Sequence, residues 1–209
     1  MLFWFIKEGE GGLLYTLPGG VDLVTEPPEL KQSREGRMSK VALIVTDMVN
    51  DFLDPRGALY VGPAGRSLIP FVVDKIEATR AAGGVVIFVC DAHAPDDREF
   101  AHFKPHAVQG SWGSQIIPEI SRLPGDYRED KTRYSALHKT GLVDILRREG
   151  VSHTDLVGVC TSICIMFTAI NLLDLEFPCR VYREGVADFD LEAHLFALKH
   201  MRMLGVEVI

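Results

Sequence analysis

The sequence contains few cysteines and no cysteine pair of the kind that binds zinc or cycles between thiol and disulfide. Its 209 residues include four cysteines, Cys90, Cys160, Cys164 and Cys179, which is too few for a disulfide scaffold of this length. No Cys-x-x-Cys pair occurs, which argues against a redox protein or a zinc-storage protein. We therefore expect reduced thiols in a cytoplasmic protein.

Long apolar runs are also absent. No run approaches the ~18 apolar residues that a membrane span needs. At the start of the chain, "LFWFI" is followed at once by Lys7 and Glu8, whereas the apolar part of a secretory signal needs about 7–15 residues. The sequence therefore predicts no membrane partner and no secretory signal.

An excess of basic residues is missing as well. Asp and Glu number 29 against 22 Lys and Arg, so the formal net charge is −7. Binding to nucleic-acid phosphates requires clustered Lys and Arg, and the densest basic stretch, "LRREG" at 146–150, is typical of the solvated end of a helix. We predict no nucleic-acid partner. The 47% of hydrophobic residues is ordinary for a globular domain.

Residues 1–37 differ from the rest of the chain, because they are rich in Gly, Pro and charge. We expect an N-terminal extension or linker that need not belong to the core, with "GLLYTL" and "VDLV" pairing as a short hairpin. Met38 precedes a clean apolar strand, so we hypothesise that it is the natural start. Residues 38–209 are predicted to form a single domain.

From Met38 onward, apolar strands alternate with helical patterns. The predicted strands are 41–46, 85–90, 155–159, 179–183 and 206–209, and the predicted helices are 67–84, 140–150, 161–175 and 191–205. Continuous apolar strands that alternate with helices indicate a sheet covered on both faces. The predicted fold is α/β, a three-layer, doubly wound and mostly parallel sheet with helices on both faces.

Chemically active side chains follow several of these strands. Asp47 follows the first, Asp91 and His93 follow the second, and Cys160 to Cys164 follow the strand at 155–159. Ligands of such sheets bind beyond the carboxyl ends of the strands, so these residues are expected at one edge. Asp47 alone is equally typical of a helix cap, but at this edge it is a candidate base.

The stretch "CDAHAPDDREFAHFKPHAVQGSWG", residues 90–113, contains a candidate metal site. Asp91 and His93 project to the same side of an extended backbone, and Glu99 and His106 follow in the same irregular stretch. One carboxylate and two imidazoles, with Glu99 as a fourth ligand, suit Zn, Fe or Mn better than Ca or Mg. The alternative is a polar loop whose histidines face water.

The cysteines in "VGVCTSICIMF", residues 157–167, raise a separate question. Cys160 ends a strand and is expected to pack in the core, whereas Cys164 lies in the first turn of the next predicted helix. A helix N-terminus lowers the pKa of a thiol and offers N–H donors to an oxyanion. A buried structural cysteine is the alternative. Lys131, in "YREDKTRYSAL", is by itself typical of a solvated side chain.

Taken together, these stretches resemble the isochorismatase-like cysteine hydrolase superfamily, and within it the nicotinamidases, over roughly residues 38–209. The resemblance is carried, in order, by "ALIVTDMVNDFL", "CDAHAPDDREF" with "KPHAVQGSWGSQI", "DKTRYSAL", "GVCTSICI" and "EAHLFALKHMRMLGVEV". Each fragment alone is weak evidence for membership of this superfamily. The ordered set of an Asp, a metal loop, a Lys and Gly-x-x-Thr-x-x-Cys is specific.

The resemblance implies a role for each matching residue. The implied catalytic residues are Asp47, Lys131 and Cys164, with the backbone N–H groups of Cys160 and Cys164 as the oxyanion hole. The implied metal ligands are Asp91, His93, Glu99 and His106, and Phe52, Trp112 and Tyr134 would contact the substrate. At the position of Glu99 many nicotinamidases have a His. A cis peptide bond is expected at Val159–Cys160.

The implied reaction is metal-assisted hydrolysis of nicotinamide to nicotinate and ammonia through a thioester. The cofactor would be one divalent ion, Zn before Fe or Mn, and the reaction would serve pyridine salvage in NAD metabolism. We expect a cytoplasmic homo-oligomer acting on a small amide. The alternatives are another family hydrolase, acting on a carbamoyl or ureido compound or on isochorismate, and a non-catalytic binding module on the same fold. The related hydrolases generally lack the metal loop.

Overall fold

The computed structural model describes residues 7–9, 12–16, 22–23 and 40–209. Two units are distinguished, Met1–Met38 and Ser39–Ile209. In the first unit, the strands β1 (Lys7–Gly9), β2 (Gly12–Thr16) and β3 (Asp22–Leu23) form an antiparallel sheet in that order. The predicted hairpin pairing is confirmed between β2 and β3. The remainder of 1–37 lies outside the described residues, and its role as an extension stays a prediction.

The second unit is built on a six-stranded sheet. Its strands are β4 (Lys40–Thr46), β5 (Val85–Asp91), β6 (Tyr127–Lys131), β7 (Val151–Val159), β8 (Cys179–Ala187) and β9 (Glu207–Val208). They lie in the order β6-β5-β4-β7-β8-β9, and each neighbouring pair is parallel. The strand order reverses at β4, so a crevice is expected between the carboxyl ends of β4 and β7.

Helices connect the strands. They are α1 (Asn50–Leu53), α2 (Pro63–Ser67), α3 (Ile69–Ala81), α4 (Leu142–Arg148), α5 (Met166–Asp174) and α6 (Leu191–Met203). A 3₁₀ helix covers Arg98–Ala101, and a π-helical turn, Thr161–Ile165, leads directly into α5. In the part of the chain that the structure describes, no helix combines the length and apolar character that crossing a bilayer requires.

The central strands bury both of their faces. In β4, Ala42 and Ile44 pack into one apolar cluster with side chains of α4, α5 and α6. Leu43 and Val45 pack into a second cluster with side chains of α1 and α3. Because successive side chains of a strand project to opposite faces, the two clusters lie on opposite sides of the sheet. The predicted three-layer α/β fold is confirmed.

The main error in the predicted elements concerns β6, where no strand was expected. Its sequence, "YREDK", alternates between half-buried and exposed positions up to Asp130 and ends on the buried Lys131. The strand lies at the edge of the sheet and, among the described strands, pairs with β5 alone. Strand β7 also begins at Val151 and not at 155, and β8 continues to Ala187. The helix predicted over 67–84 corresponds to α3, Ile69–Ala81, and α2 precedes it as a separate short helix that was not predicted.

Candidate active site

Four neighbouring strands deliver polar side chains to the same edge of the sheet. Asp47 follows β4, Asp91 and Lys131 are the last residues of β5 and β6, and Cys160 follows β7. Together with Cys164 they are all at most 7% exposed. The sheet-edge rule therefore placed Asp47, Asp91 and the cysteines of the turn correctly, although they lie far apart in sequence. Lys131 was expected here only from the resemblance, because β6 was not predicted.

Lys131 is the central residue of this group. Its Nζ atom lies 2.8 Å from Oδ2 of Asp47 and 2.5 Å from Oδ1 of Asp91. It also donates to the sulfur of Cys164 at 3.3 Å. Lys131 is 1% exposed, so it is a buried cation between two carboxylates and a thiol, and the solvated interpretation of this residue is wrong.

The buried charges change one another's pKa values. Burial raises the pKa of Asp47 to about 6, with a further rise from the Asp91 charge that Lys131 opposes. Burial also acts to raise the pKa of Asp91, but Lys131 and the two histidines lower it below its usual value. Burial alone would lower the pKa of Lys131, but the two carboxylates raise it well above its usual value. At neutral pH Lys131 is therefore charged.

Cys164 has an environment that keeps its thiol protonated. Burial raises its pKa well above the usual value, and Lys131 offsets this only in part. The Asp47 carboxylate lies within 4.8 Å of the sulfur and is the nearby base with a pKa close to neutrality. An attack by this sulfur therefore needs a proton acceptor, and Asp47 is placed to be that acceptor.

The backbone at Asp47 is adapted to hold its carboxylate. Asp47 has φ 54°, in the left-handed region that few non-glycine residues adopt. Its N–H donates to the carbonyl of Val89 at 2.9 Å, and its Oδ1 accepts from the backbone N–H of Asp91 at 2.7 Å. The carboxylate is thus tied to β5, and its second oxygen is left for Lys131.

The turn that carries Cys164 begins just after a close approach of β7 to β4 at Gly158. Gly158 has φ 118°, and a Cβ atom there would lie 1.9 Å from the carbonyl oxygen of Thr46, so only glycine fits. The peptide bond between Val159 and Cys160 is cis, as the resemblance implied. The chain then enters the π-helical turn and presents Cys164 at the sheet edge.

Two residues that the sequence analysis missed hold this turn. Asp188 accepts from the backbone N–H of Ser162 at 2.6 Å, and His194 on α6 shares a 2.9 Å hydrogen bond with the hydroxyl of Thr161. Asp188 directly follows β8, so the rule that identified Asp47 applies to it too. It was missed because β8 was expected to end at residue 183.

A second group, the metal-ligand cluster, comprises Asp91, His93, Glu99 and His106. The Nε2 atoms of His93 and His106 lie 3.6 Å and 3.8 Å from the Asp91 carboxylate, and 4.0 Å and 3.9 Å from Oε1 of Glu99. One ligand atom from each of Asp91, His93 and His106 falls within 4.8 Å of the others. The four predicted ligands are therefore brought together.

The residues present fit a bound metal ion. His93 is fully buried, and its Nε2 has no hydrogen-bond partner among the described residues. Two ligand atoms that each lie about 2.1 Å from an ion are about 3–4 Å apart, which is the spacing seen here. A buried imidazole nitrogen without a partner is costly unless something else satisfies it. An ion bound to His93 would satisfy this nitrogen.

Neighbouring groups orient both imidazoles. His106 Nδ1 donates to the carbonyl of Lys104 at 2.8 Å, so in the neutral ring Nε2 carries the free lone pair. His93 Nδ1 lies 3.3 Å from the Asp97 carboxylate, a close contact without hydrogen-bond geometry, and Asp97 in turn accepts from Arg133 at 3.0 Å. Metal-binding histidines commonly have such partners on the nitrogen that faces away from the ion. Asp97 was not among the predicted site residues.

A cavity joins Cys164 to the metal-ligand cluster. Its lining is largely apolar and includes both Cys160 and Cys164. The remaining lining residues are Phe52, Leu59, Asp91, Glu99, Phe103, His106, Tyr134, Ile163 and Phe189. Phe52 and Tyr134 thus line the cavity, and their contact with a substrate stays a prediction. Trp112 is not in this lining; it is 42% exposed, with Arg56 above its ring at 4.9 Å.

The chain is similar to known sequences over most of the second unit. A family profile described as the isochorismatase domain matches residues 41–209. An uncharacterized isochorismatase family protein, PncA, of Bacillus subtilis is 33% identical over 180 residues, which cover 81% of this chain and 98% of the relative. A probable inactive nicotinamidase of Arabidopsis thaliana is 30% identical over 182 residues, covering 82% and 92%.

Solved structures have the same fold. The nicotinamidase/pyrazinamidase PncA of Bacillus subtilis gives a TM-score of 0.77 at 32% identity, covering 81% of this chain and 98% of that one. The pyrazinamidase of Pyrococcus horikoshii, solved in complex with zinc, gives 0.77 at 29% identity, covering 81% and 98%. The N-carbamoylsarcosine amidase of Thermoplasma acidophilum gives 0.73 at 34% identity, covering 81% and 95%.

Proposed function

Since this chain belongs to the isochorismatase family of hydrolases, we propose that it is a cysteine amidohydrolase that converts nicotinamide to nicotinate and ammonia. The observation that supports this most directly is the cavity bordered both by the Cys164 thiol and by three members of the metal-ligand cluster. A ring nitrogen and a carboxamide on one small molecule would match those two borders. The similar solved nicotinamidase supports the same substrate.

In the proposed mechanism Cys164 is the nucleophile and Asp47 is the base. The thiol is protonated at rest, so Asp47 takes its proton as the sulfur attacks the amide carbon. Lys131 contacts the sulfur and the Asp47 carboxylate, and its positive charge stabilises the developing thiolate. Because this lysine retains its proton, it acts as a fixed charge and not as an acid.

The later steps use the same groups. The addition places negative charge on the former carbonyl oxygen, which the backbone N–H groups of Cys160 and Cys164 would stabilise. Asp47 then returns its proton to the leaving nitrogen as the C–N bond breaks, because an amine is a poor leaving group without it. Water next attacks the thioester, Asp47 accepts the proton of that water and returns it to the sulfur, and the acid product leaves.

The metal-ligand cluster would hold one divalent ion, zinc first and iron or manganese as alternatives. When bound, the ion would supply a Lewis acid to the pyridine nitrogen of the substrate. The chain itself confines the ring, because Phe52 and Tyr134 border the same cavity. A role for Trp112 stays a prediction without support from the cavity lining.

A carbamoyl compound is the second candidate substrate. It is favoured by the similarity to the N-carbamoylsarcosine amidase, whose identity to this chain is 34%. The same Cys164, Asp47 and Lys131 would attack that substrate too. The buried nitrogen of His93, which has no partner among the described residues, favours the metal-dependent reaction.

A non-catalytic binding module is the candidate from another class. This alternative is supported by the similarity to a relative that is described as a probable inactive nicotinamidase. Against a non-catalytic module, the three proposed catalytic residues are all present, and Lys131 is within hydrogen-bonding distance of both Asp47 and Cys164. We retain as proposals that the enzyme is cytoplasmic and oligomeric, and that its product enters NAD metabolism.

Ammonia release from a small panel of amides tests the proposal. The panel contains nicotinamide, pyrazinamide and N-carbamoylsarcosine, each assayed with the purified full-length chain before and after chelator treatment. We expect release from nicotinamide that falls after chelation and returns when zinc is added back. Preference for the carbamoyl compound would replace the substrate assignment, and release from none of the three would contradict the proposal.

A further inference from the structure

The outer face of α6 is apolar, although its inner face is already packed in the core. Ala197, Leu198 and Met201 are buried on this inner face, and Leu198 and Met201 belong to the apolar cluster that includes Ala42 and Ile44 of β4. On the outer face Leu195 is 51% exposed and Phe196 is 58% exposed, and the apolar ends of the helix are more exposed still. A surface helix normally presents polar residues to water. A contiguous apolar face of this kind is typical of a protein–protein contact.

Two residues of opposite charge flank Leu195 and Phe196 on the outer face of α6. Glu192 and Lys199 are both exposed and lie seven residues apart on the same face. Neither makes an ion pair with any of the residues that the structure describes. At 1.5 Å per residue they are separated by about 10 Å along the helix, which is too far for them to pair with each other.

The pattern complements itself in an antiparallel pair of helices, because Glu192 and Lys199 lie equally far on either side of the centre between Leu195 and Phe196. A two-fold axis between Leu195 and Phe196 would place Leu195 against Phe196 of a second copy and Glu192 against the second copy's Lys199. Each apolar residue would then meet an apolar residue, and each charge would meet its opposite, twice by symmetry. Such a self-complementary patch is what an isologous dimer contact requires.

We propose that the outer face of α6 is a homodimer interface, formed by antiparallel packing of α6 on α6 of a second copy. The occupant is a second copy because the charge pattern complements itself. The interface would adjoin the catalytic cavity, since Phe189, which is 43% exposed and lines that cavity, precedes α6 by two residues. The same helix also contacts the turn that carries Cys164, which we call the nucleophile turn, through His194.

Charge reversal tests the proposal on the full-length chain. Glu192→Lys and Lys199→Glu each place like charges opposite one another in two symmetric positions. We expect each single variant to raise the dimer dissociation constant by at least ~10-fold at low ionic strength. The double variant exchanges the two charges and is expected to restore dimerisation. Sedimentation velocity over a range of concentrations measures the dissociation constants.

Mixing the two single variants provides a sharper test of the antiparallel register. Each single variant should be mainly monomeric alone, but an equimolar mixture should form heterodimers, because each lysine then faces a glutamate. Glu77→Lys, on the exposed side of α3, makes the same change of charge elsewhere and is the matched control. Circular dichroism checks that every variant is folded.

Several results would overturn the proposal. A wild-type chain that stays monomeric at all concentrations would exclude the interface. An assembly that responds to the α6 reversals no more than to Glu77→Lys would place the contact on another face. Loss of dimerisation in the single variants that the double variant does not restore would exclude the two-fold pairing of Glu192 with Lys199.

Discussion

The two ends of the central sheet both carry ion pairs, but they differ in exposure. At the amino end, Lys40 pairs with Glu149 at 2.6 Å, and the two side chains are 34% and 23% exposed. At the carboxyl end, Lys131 pairs with Asp47 and Asp91, and these three side chains are at most 4% exposed. The first arrangement is an ordinary surface ion pair, whereas the second is a cluster of buried charges.

This difference separates a structural role from a chemical one. Surface pairs contribute about 0–1 kcal/mol, and removing charges from water costs several kcal/mol for each ion. The carboxyl-end cluster is therefore not explained by stability. Strongly shifted pKa values beside a cavity are typical of functional sites. Substitutions at the two ends should accordingly have effects of very different size.

Cys164→Ala should have the largest effect on activity. Without the nucleophile we expect kcat to fall by about 10⁴-fold or more, because the groups of such a triad act as a unit. Cys160→Ala is the matched control, since it removes the thiol of the same turn but keeps the backbone N–H. Ammonia release measures both variants. Wild-type turnover by Cys164→Ala would rule out the covalent route.

Lys131→Met should have the largest effect on stability. It leaves Asp47 and Asp91 buried without their counter-ion, which should lower the free energy of unfolding by about 3–5 kcal/mol at pH 7. The pKa of Asp47, already raised to about 6, should rise further. A carboxylate whose folded-state pKa lies above its unfolded value destabilises the folded protein as it ionises with rising pH.

The loss in Lys131→Met should therefore be smaller at pH 5 than at pH 7. Urea denaturation of metal-free wild-type and variant protein at both pH values measures this. Lys131→Arg keeps the charge and should lose less stability than Lys131→Met at pH 7. A deficit in Lys131→Met that is equal at both pH values would show that lost packing, and not uncompensated charge, is the cause.

Asp97→Asn should weaken metal binding without removing a ligand. Asp97 lies beside the outer nitrogen of His93, and losing such a partner typically lowers metal affinity about 10–100-fold. Asp96→Asn, at an exposed neighbouring position, is the control. Competition with a zinc-sensitive dye gives the dissociation constants. Equal zinc affinity in the two variants would remove Asp97 from the account of the site.

Asp188→Asn should have a smaller effect that is specific to turnover. Asp188 fixes the nucleophile turn through the N–H of Ser162 and is not in the cavity lining. A neutral amide accepts this hydrogen bond less strongly, so we expect kcat to fall roughly tenfold with little change in KM. Asp188→Glu restores the charge and should recover part of the loss. An unchanged kcat in Asp188→Asn would contradict the positioning role.

Lys40→Met, at the amino end, should have the smallest effect. The pair with Glu149 is partly exposed, so its loss should change the free energy of unfolding by less than about 1 kcal/mol. Turnover should stay at the wild-type level. A loss as large as that of Lys131→Met would remove the distinction between the two ends of the sheet.

The sequence was sufficient for the fold and for the edge at which the site lies. Buried parallel strands appear as continuous apolar runs, so β4 and β5 were recognisable, and the residues that follow them were expected at one edge. Asp47, Asp91 and Cys164 could be placed in this way. Asp47 and Asp91 are positioned directly by the ends of their strands, whereas Cys164 also depends on the turn that follows β7.

The remainder of the site depends on contacts that no local pattern records. Lys131 ends an edge strand made mostly of charged residues, so only the resemblance to a family distinguished it from a solvated lysine. Asp97, Asp188 and His194 act through contacts with residues on other elements or across a loop. Such contacts become visible only once the chain is folded.

The most direct test of the account is the identity of the residue that carries the acyl group during turnover. Wild-type enzyme is mixed with nicotinamide, quenched in acid within one turnover, digested with trypsin and analysed by mass spectrometry. No Lys or Arg lies between Arg148 and Arg180, so one tryptic peptide carries Cys160, Cys164 and Cys179, and fragment ions must distinguish them. We predict a nicotinoyl thioester on Cys164 alone. A thioester on either of the other two cysteines would contradict it.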